Sequence, residues 1–211
     1  DVSVGGDVLI TVSGNSEVDS VYLAGSGVGS NVKGNSTLLI DGNNTRIGHI
    51  YGAAFNSEVE GIAKIAFGSD FNGTFDTPYE AIDELEALNG SNVTITITDT
   101  EAAQGLTLSG AGNFNADIRL TSGTLTVNGE VSATTLSLTG TAGLVMAQNG
   151  VLTTTTSQLF TNALNAEGTN KDAGALNENG QHIDFVAGSI AFNDEFYNEF
   201  YSNSAAGLVG S

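Results

Sequence analysis

Side chains able to do chemistry are scarce in this chain and stand apart from one another. Cysteine is absent, which removes thiol nucleophiles, thiolate zinc sites and disulfides together. The histidines are His49 and His182, and the basic residues are Lys33, Arg46, Lys64, Arg119 and Lys171. One local constellation stands out, Asn-Thr-Arg46-Ile-Gly-His49, in which strand alternation places a guanidinium and an imidazole on neighbouring parts of one face. Such a pair could serve polysaccharide cleavage as base and charge stabiliser. A general base needs a poised partner, however, and the local sequence supplies none. Arg46 and His49 are therefore kept as binding candidates, no catalytic residue is assigned, and His182 is isolated.

The acids outnumber the bases, 24 to five, for a net charge of −19. Nucleic-acid partners are excluded, because their affinity comes from Lys and Arg neutralising phosphates. Anionic membrane surfaces are disfavoured for the same reason, and no apolar run approaches the roughly 18 residues of a membrane helix, so insertion by this segment is not expected. Asp41-Gly-Asn-Asn and Asp70-Phe-Asn-Gly resemble fragments of Ca²⁺ loops, but the bidentate glutamate is not at the right distance. The expectation is no cofactor and no dedicated metal site, with at most weak Ca²⁺ binding. Gly25-Ser-Gly-Val-Gly29 lacks the lysine and following helix of a phosphate loop. Threonine rows such as Thr94, Thr96 and Thr98 are too unevenly spaced for an ice-binding face; threonine is also a good outward strand residue.

The elements that must carry these residues repeat. Gly6-Asp-Val-Leu-Ile-Thr-Val-Ser-Gly14 returns as Gly34-Asn-Ser-Thr-Leu-Leu-Ile-Asp-Gly42, and a third copy begins at Gly61-Ile-Ala-Lys-Ile-Ala-Phe-Gly68. Gly14 maps to Gly42, Tyr22 to Tyr51 and Val32 to Val59, a unit of about 27 to 28 residues. Short alternating strands between Gly, Asn, Ser and Asp turns read as coils of a solenoid, each burying its apolar side only by stacking on the next. Thr77-Pro78 followed by Tyr79, Ile82, Leu85 and Leu88 at three-residue steps, with Asn89-Gly90 as a stop, predicts an inserted helix at about 77–89. Strands resume at Val93-Thr-Ile-Thr-Ile-Thr98 and run less regularly to about residue 156, and Ile183–Val186 and Ser189–Phe192 read as a final strand pair. The division expected is a β-solenoid over 1–157 and a capping segment of short helices and strands over 158–211.

Phe196, Tyr197 and Phe200, Tyr201 fall at three- and four-residue steps in that last segment, on a predicted helix from about Asp194 to Tyr201. Solenoid ends need shielding, which favours capping; an interaction or oligomer surface is the alternative, and these four residues are the remaining binding candidates.

Val21-Tyr-Leu-Ala-Gly-Ser-Gly, Gly34-Asn-Ser-Thr-Leu-Leu-Ile, Ile47-Gly-His-Ile-Tyr51-Gly-Ala and Val59-Glu-Gly61 resemble repeats of large bacterial surface proteins, autotransporter passengers and related adhesins. The resemblance covers about residues 5 to 68 well and transfers no functional residue. It implies an all-β fold, a right-handed parallel β-helix; the short inserted α-helix and the C-terminal helical or irregular cap expected from the residues depart from a plain passenger. It also implies an extracellular, cell-surface protein. The function expected is a non-enzymatic adhesin or structural passenger, with host or neighbouring-cell structures or glycans as partners and self-association as a further option. Asp1-Val-Ser-Val, already in alternation, reads as part of a longer precursor. The alternatives are a carbohydrate-active β-helix lyase or hydrolase, and a self-assembling surface-layer or biofilm unit.

Overall fold

The computed structural model describes residues 3–54, 56–103, 105–138, 142–154, 182–185 and 189–191, which form two compact units. The chain is all-β, and its strands pair in parallel. In the first unit, one tier consists of β1 (Ser3–Val4), β2 (Val8–Ser13) and β3 (Glu17–Tyr22), and the next of β4 (Asn31–Val32), β5 (Ser36–Asp41) and β6 (Arg46–Tyr51). A third holds β7 (Glu58–Val59), β8 (Ala63–Phe67), β9 (Asn72–Thr74) and β10 (Tyr79–Glu80). Equivalent strands lie side by side: β1-β4-β7 and β3-β6-β10 are three-stranded sheets, and β2-β5-β8 are consecutive strands at one end of a twelve-stranded sheet. Val8 pairs with Ser36 and Ser36 with Ala63, while Tyr22 pairs with Tyr51 and Val32 with Val59. The repeat read from the sequence is thus the pairing register.

Alternation explains what is buried. Leu38, Ile40, Ile65 and Phe67 point inward and are 0–3% exposed. Ser36 lies in the same inward column, and its hydroxyl donates to the Leu23 carbonyl at 2.8 Å, so this buried polar group is satisfied. Phe67 meets Phe71 and Phe75 with ring centroids 4.9 and 5.0 Å apart, filling the third tier.

Side chains also join the tiers at their corners. Asp7 Oδ1 accepts from the Asn35 backbone N–H at 2.8 Å, and Asn35 Oδ1 accepts from Ile62 N–H at 2.9 Å. Asp41 and Asn43 do the same for Asp70 and Asn72, at 3.2 and 2.5 Å. Turn residues whose backbone donors would otherwise need water are capped by the tier before them.

The inserted helix expected at about 77–89 is not present. Tyr79–Glu80 forms β10 on β6, Ala81 turns with φ 54°, and Glu84–Ala87 forms β11, paired with β8 through Leu85 and Ile65. Glu84-Leu-Glu-Ala87 satisfies a two-residue period as well as a helical one. The strand form buries Leu85 and Ala87, aligns Glu84 and Glu86 with Lys64, and lets Pro78 contribute only its carbonyl, to Ile50 N–H. Tertiary pairing outweighs local helix propensity. The offset also shortens, since Glu84 pairs with Lys64 and β12 (Asn92–Thr98) with β9, each 20 residues on.

The second unit holds the rest of β12 and a four-residue helix, α1 (Asp99–Ala102), the only α-helix among the described residues. It continues with most of β13 (Thr107–Leu120), then β14 (Thr124–Leu138), β15 (Gly143–Met146), β16 (Val151–Thr154), β17 (His182–Phe185) and β18 (Ser189–Ala191). β14 pairs in parallel with β15 and β16, which pair with β17 and β18. Strands therefore occur where the final pair was expected, and β13 and β14 run without interruption through Gly112 and Gly129. The helix expected at about 194–201 lies outside the described residues.

Asp99 ties α1 to the next turn, accepting from Ser122 N–H at 2.9 Å and from both the N–H and hydroxyl of Thr121. Burial pushes its carboxyl upward, but the hydrogen bonds from Thr121 and Ser122 prevail and hold it below the ordinary 3.8. A depressed native pKa means stability that is complete above about pH 4 and is lost as pH falls through the native value. Asp99→Asn keeps an acceptor but removes the charge, so its unfolding midpoint should fall less steeply than wild type between about pH 4 and pH 2, as followed by circular dichroism.

Candidate functional site

The outer face of β3, β6 and β10 carries the densest grouping of aromatic and ionisable side chains in the first unit. Register builds it: Ser20 pairs with His49, Tyr22 with Tyr51, and Tyr51 with Glu80. The Tyr22 and Tyr51 rings stack with centroids 4.8 Å apart and planes 7° from parallel. His49 stacks on Tyr51 at 4.1 Å and 18°. Its Nε2 lies 2.9 Å from Glu80 Oε1, so imidazole, phenol and carboxylate hold one another in place across three strands. Val21 and Ile50, on the opposite side of the same strands, are buried and anchor the sheet beneath the rings.

Of the sequence candidates, His49 sits in this grouping. Arg46, at the start of β6 and opposite Glu17, is exposed and is not brought onto the imidazole. Phe196, Tyr197, Phe200 and Tyr201 lie outside the described residues. Tyr22 and Tyr51 were visible as equivalent repeat positions without being read as part of a site. Glu80 was hidden by the helical reading of its segment.

Chemically the face is a hydrogen-bonding, aromatic surface. A hydroxyl, an imidazole and a carboxylate do line up at Ser20, His49 and Glu80, but no hydrogen bond joins Ser20 to His49. The stacked rings and the His49–Glu80 pair give the face both aromatic and hydrogen-bonding character.

Elsewhere among the described residues, Lys33, Lys64 and Arg119 are engaged in ion pairs. Lys64 lies 2.9 Å from Glu86 Oε2 and 3.7 Å from Glu84 Oε1, and Ser109 Oγ donates to Glu84. Burial acts to lower the Lys64 pKa, yet the hydrogen bond to Glu86 and the charges of Glu84 and Glu86 carry it above the ordinary 10.5. Lys33 pairs with Glu60, and Arg119 Nε with Asp117 at 2.9 Å. Asp41, from the first calcium-like fragment, spends its carboxylate on a backbone donor, and among the described residues no three His, Asp or Glu side chains converge on a metal position. An open groove of about 340 Å³ runs beside Leu9, Thr37, Ile62 and Lys64. Among the described residues no helix is long and apolar enough to cross a membrane.

No family model, curated protein or solved structure matches the chain.

Proposed function

We propose that this chain is a segment of a non-enzymatic bacterial cell-surface protein of the passenger or adhesin type. On this reading its tiers are coils of a right-handed parallel β-helix that mediates or presents attachment. The observation that carries the proposal is the in-register parallel ladder, which repeats at 27–29 residues and sets like side chains in outward rows. Rows of this kind make extended recognition faces, and the His49 face is the one with side chains suited to host-cell or neighbouring-cell glycans. Engaged lysines and acids spent on corner hydrogen bonds support a structural rather than catalytic use of the charged residues.

Retention of the purified chain on host or bacterial cells, read by flow cytometry, should fall at least about fivefold, roughly 1 kcal/mol of binding, on Tyr51→Ala. Arg46→Ala should leave retention unchanged. Polysaccharide depolymerisation that depends on Arg46 or His49 would overturn the proposal in favour of a β-helical lyase or hydrolase.

A further inference from the structure

Five asparagines are followed by glycine: Asn72, Asn89, Asn128, Asn149 and Asn179. In such a pair the glycine backbone nitrogen can attack the asparagine Cγ, because no Cβ on the glycine bars its approach. A glycine N–H already donating, a carboxamide already bonded, or a strand that fixes the peptide plane suppresses the attack. Asn72–Gly73 lies in β9, paired with Asn92 and Val93 of β12; the Asn72 N–H donates to Asn43 Oδ1 at 2.5 Å, and its Oδ1 accepts from Asn92 Nδ2 at 3.0 Å. Asn128–Gly129 lies within β14, with Gly129 buried and Asn128 Oδ1 accepting from Asn149 N–H at 3.2 Å. In Asn149–Gly150 the attacking nitrogen is itself engaged, donating to Ala147 O at 3.0 Å. Asn179–Gly180 lies outside the described residues.

Asn89–Gly90 differs from these three on every count. The pair is exposed and forms the turn between β11 and β12, with Gly90 at φ 95° and the turn closed by Ser91 N–H donating to Leu88 O at 2.9 Å. Neither the Asn89 carboxamide nor the Gly90 N–H has a hydrogen-bond partner among the described residues.

We propose that Asn89–Gly90 is a site of spontaneous covalent modification, at which a side-chain amide becomes a carboxylate and the main chain is rerouted. The site depends on this turn alone and stands apart from the proposed surface role. The Gly90 nitrogen gives its proton to solvent and bonds to Asn89 Cγ, and Nδ2 leaves as ammonia, so that a succinimide closes. Water then opens the ring. Attack at Cγ restores the main chain as aspartate, whereas attack at the Asn89 backbone carbonyl leaves the chain running through Cβ and Cγ as isoaspartate. No oxidant or reductant takes part. Either product adds a negative charge to a chain already at −19, and isoaspartate also inserts one atom into the main chain between Leu88 and Ser91. The corner is packed from beneath and cannot absorb that atom without loss. A Cβ on Gly112 of β13 would stand 2.4 Å from both Leu88 O and Ser91 Oγ, and Asn113 N–H donates to Ser91 O at 3.0 Å. Ser91 is 1% exposed, and its hydroxyl also donates to Leu88 O, at 2.7 Å. Isoaspartate therefore breaks the Leu88–Ser91 closure and loosens the start of β12.

The test holds the full chain in warm, mildly alkaline buffer and follows its peptic peptides by mass spectrometry, with isoaspartate counted by methyl transfer from a protein isoaspartate methyltransferase. Conversion at Asn89 should run at least about tenfold faster than at Asn72, Asn128 or Asn149 in the folded chain. In urea the four rates should converge, because the fold and not the shared Asn-Gly sequence separates them. Asn89→Gln, whose longer side chain does not close the five-membered ring, should remove the signal at that position. In the aged chain the Ser91 and Asn92 amides should exchange at least about tenfold faster than in the fresh one, whereas Asn89→Asp, with its main chain unextended, should keep the fresh-chain protection. Conversion at Asn89 no faster than at the other three, a spread of rates that persists in urea, or isoaspartate at 89 with Ser91 protection unchanged would overturn the proposal.

Discussion

Phe67→Ala should cost about 4 kcal/mol, the largest loss from truncating any single side chain in the first unit. Phe67 is 0% exposed, lies between the rings of Phe71 and Phe75, and pairs with Ile40 on one side and Ala87 on the other. Truncation removes the transfer free energy of the ring and leaves a cavity walled by two aromatic neighbours that are themselves 6% exposed and held on short strands and turns. Parallel strands hydrogen-bonded on both sides cannot close that space without losing register, so little of the cost is recovered by relaxation. Phe67→Leu, which keeps most of the volume, should cost under about 1.5 kcal/mol. Urea unfolding followed by circular dichroism measures both; equal losses would mean that Phe67 is not the packing centre assigned to it.

The second large effect arises from adding one methyl group. In Gly52→Ala the new Cβ would stand 1.6 Å from the Ala81 carbonyl oxygen and 2.6 Å from its carbon, while Gly52 N–H donates to Glu80 O at 2.9 Å. The obstacle is backbone, so no rotamer relieves it. Either β10 withdraws from β6 or the turn at Ala81 reforms, and the hydrogen bond is lost in both cases. Overpacking and an unsatisfied backbone group together cost about 3 kcal/mol, or roughly 6–12 °C in midpoint for a chain of this size. Withdrawal of β10 also parts Glu80 from His49, so the cell retention tested above should fall with stability. Gly5→Ala, at a glycine with nothing within 4 Å, is the control and should stay within about 0.5 kcal/mol.

What was legible in the sequence followed from periodicity. Tyr22 with Tyr51, Val32 with Val59, and Gly14 with Gly42 could be aligned by eye because the ladder requires like residues at like positions, and the register confirms them. His49 was legible as a binding candidate beside Arg46, but Glu80, the partner it meets, was not. Glu80 lies 31 residues away, and pairing it with His49 depends on reading 79–87 as strand. That segment was ambiguous because Tyr79, Ile82 and Leu85 fit a helical face while Leu85 and Ala87 fit a strand face, and only the neighbouring strands decide between them. The corner bonds from Asp7, Asn35, Asp41 and Asn43 were illegible for a related reason. Each joins a side chain to a backbone donor one tier on, so it becomes visible only once the offset is known to the residue.

Tiers of unequal length also give the chain a mechanical signature. Neighbouring parallel strands are about 4.8 Å apart, so a tier occupies little length while packed yet releases roughly 3.3–3.6 Å per residue once extended. Offsets of 27–29 residues correspond to about 90–105 Å of chain per tier peeled away, and offsets near 20 residues to about 65–72 Å. Load applied along the stack would therefore be shed in steps of two sizes.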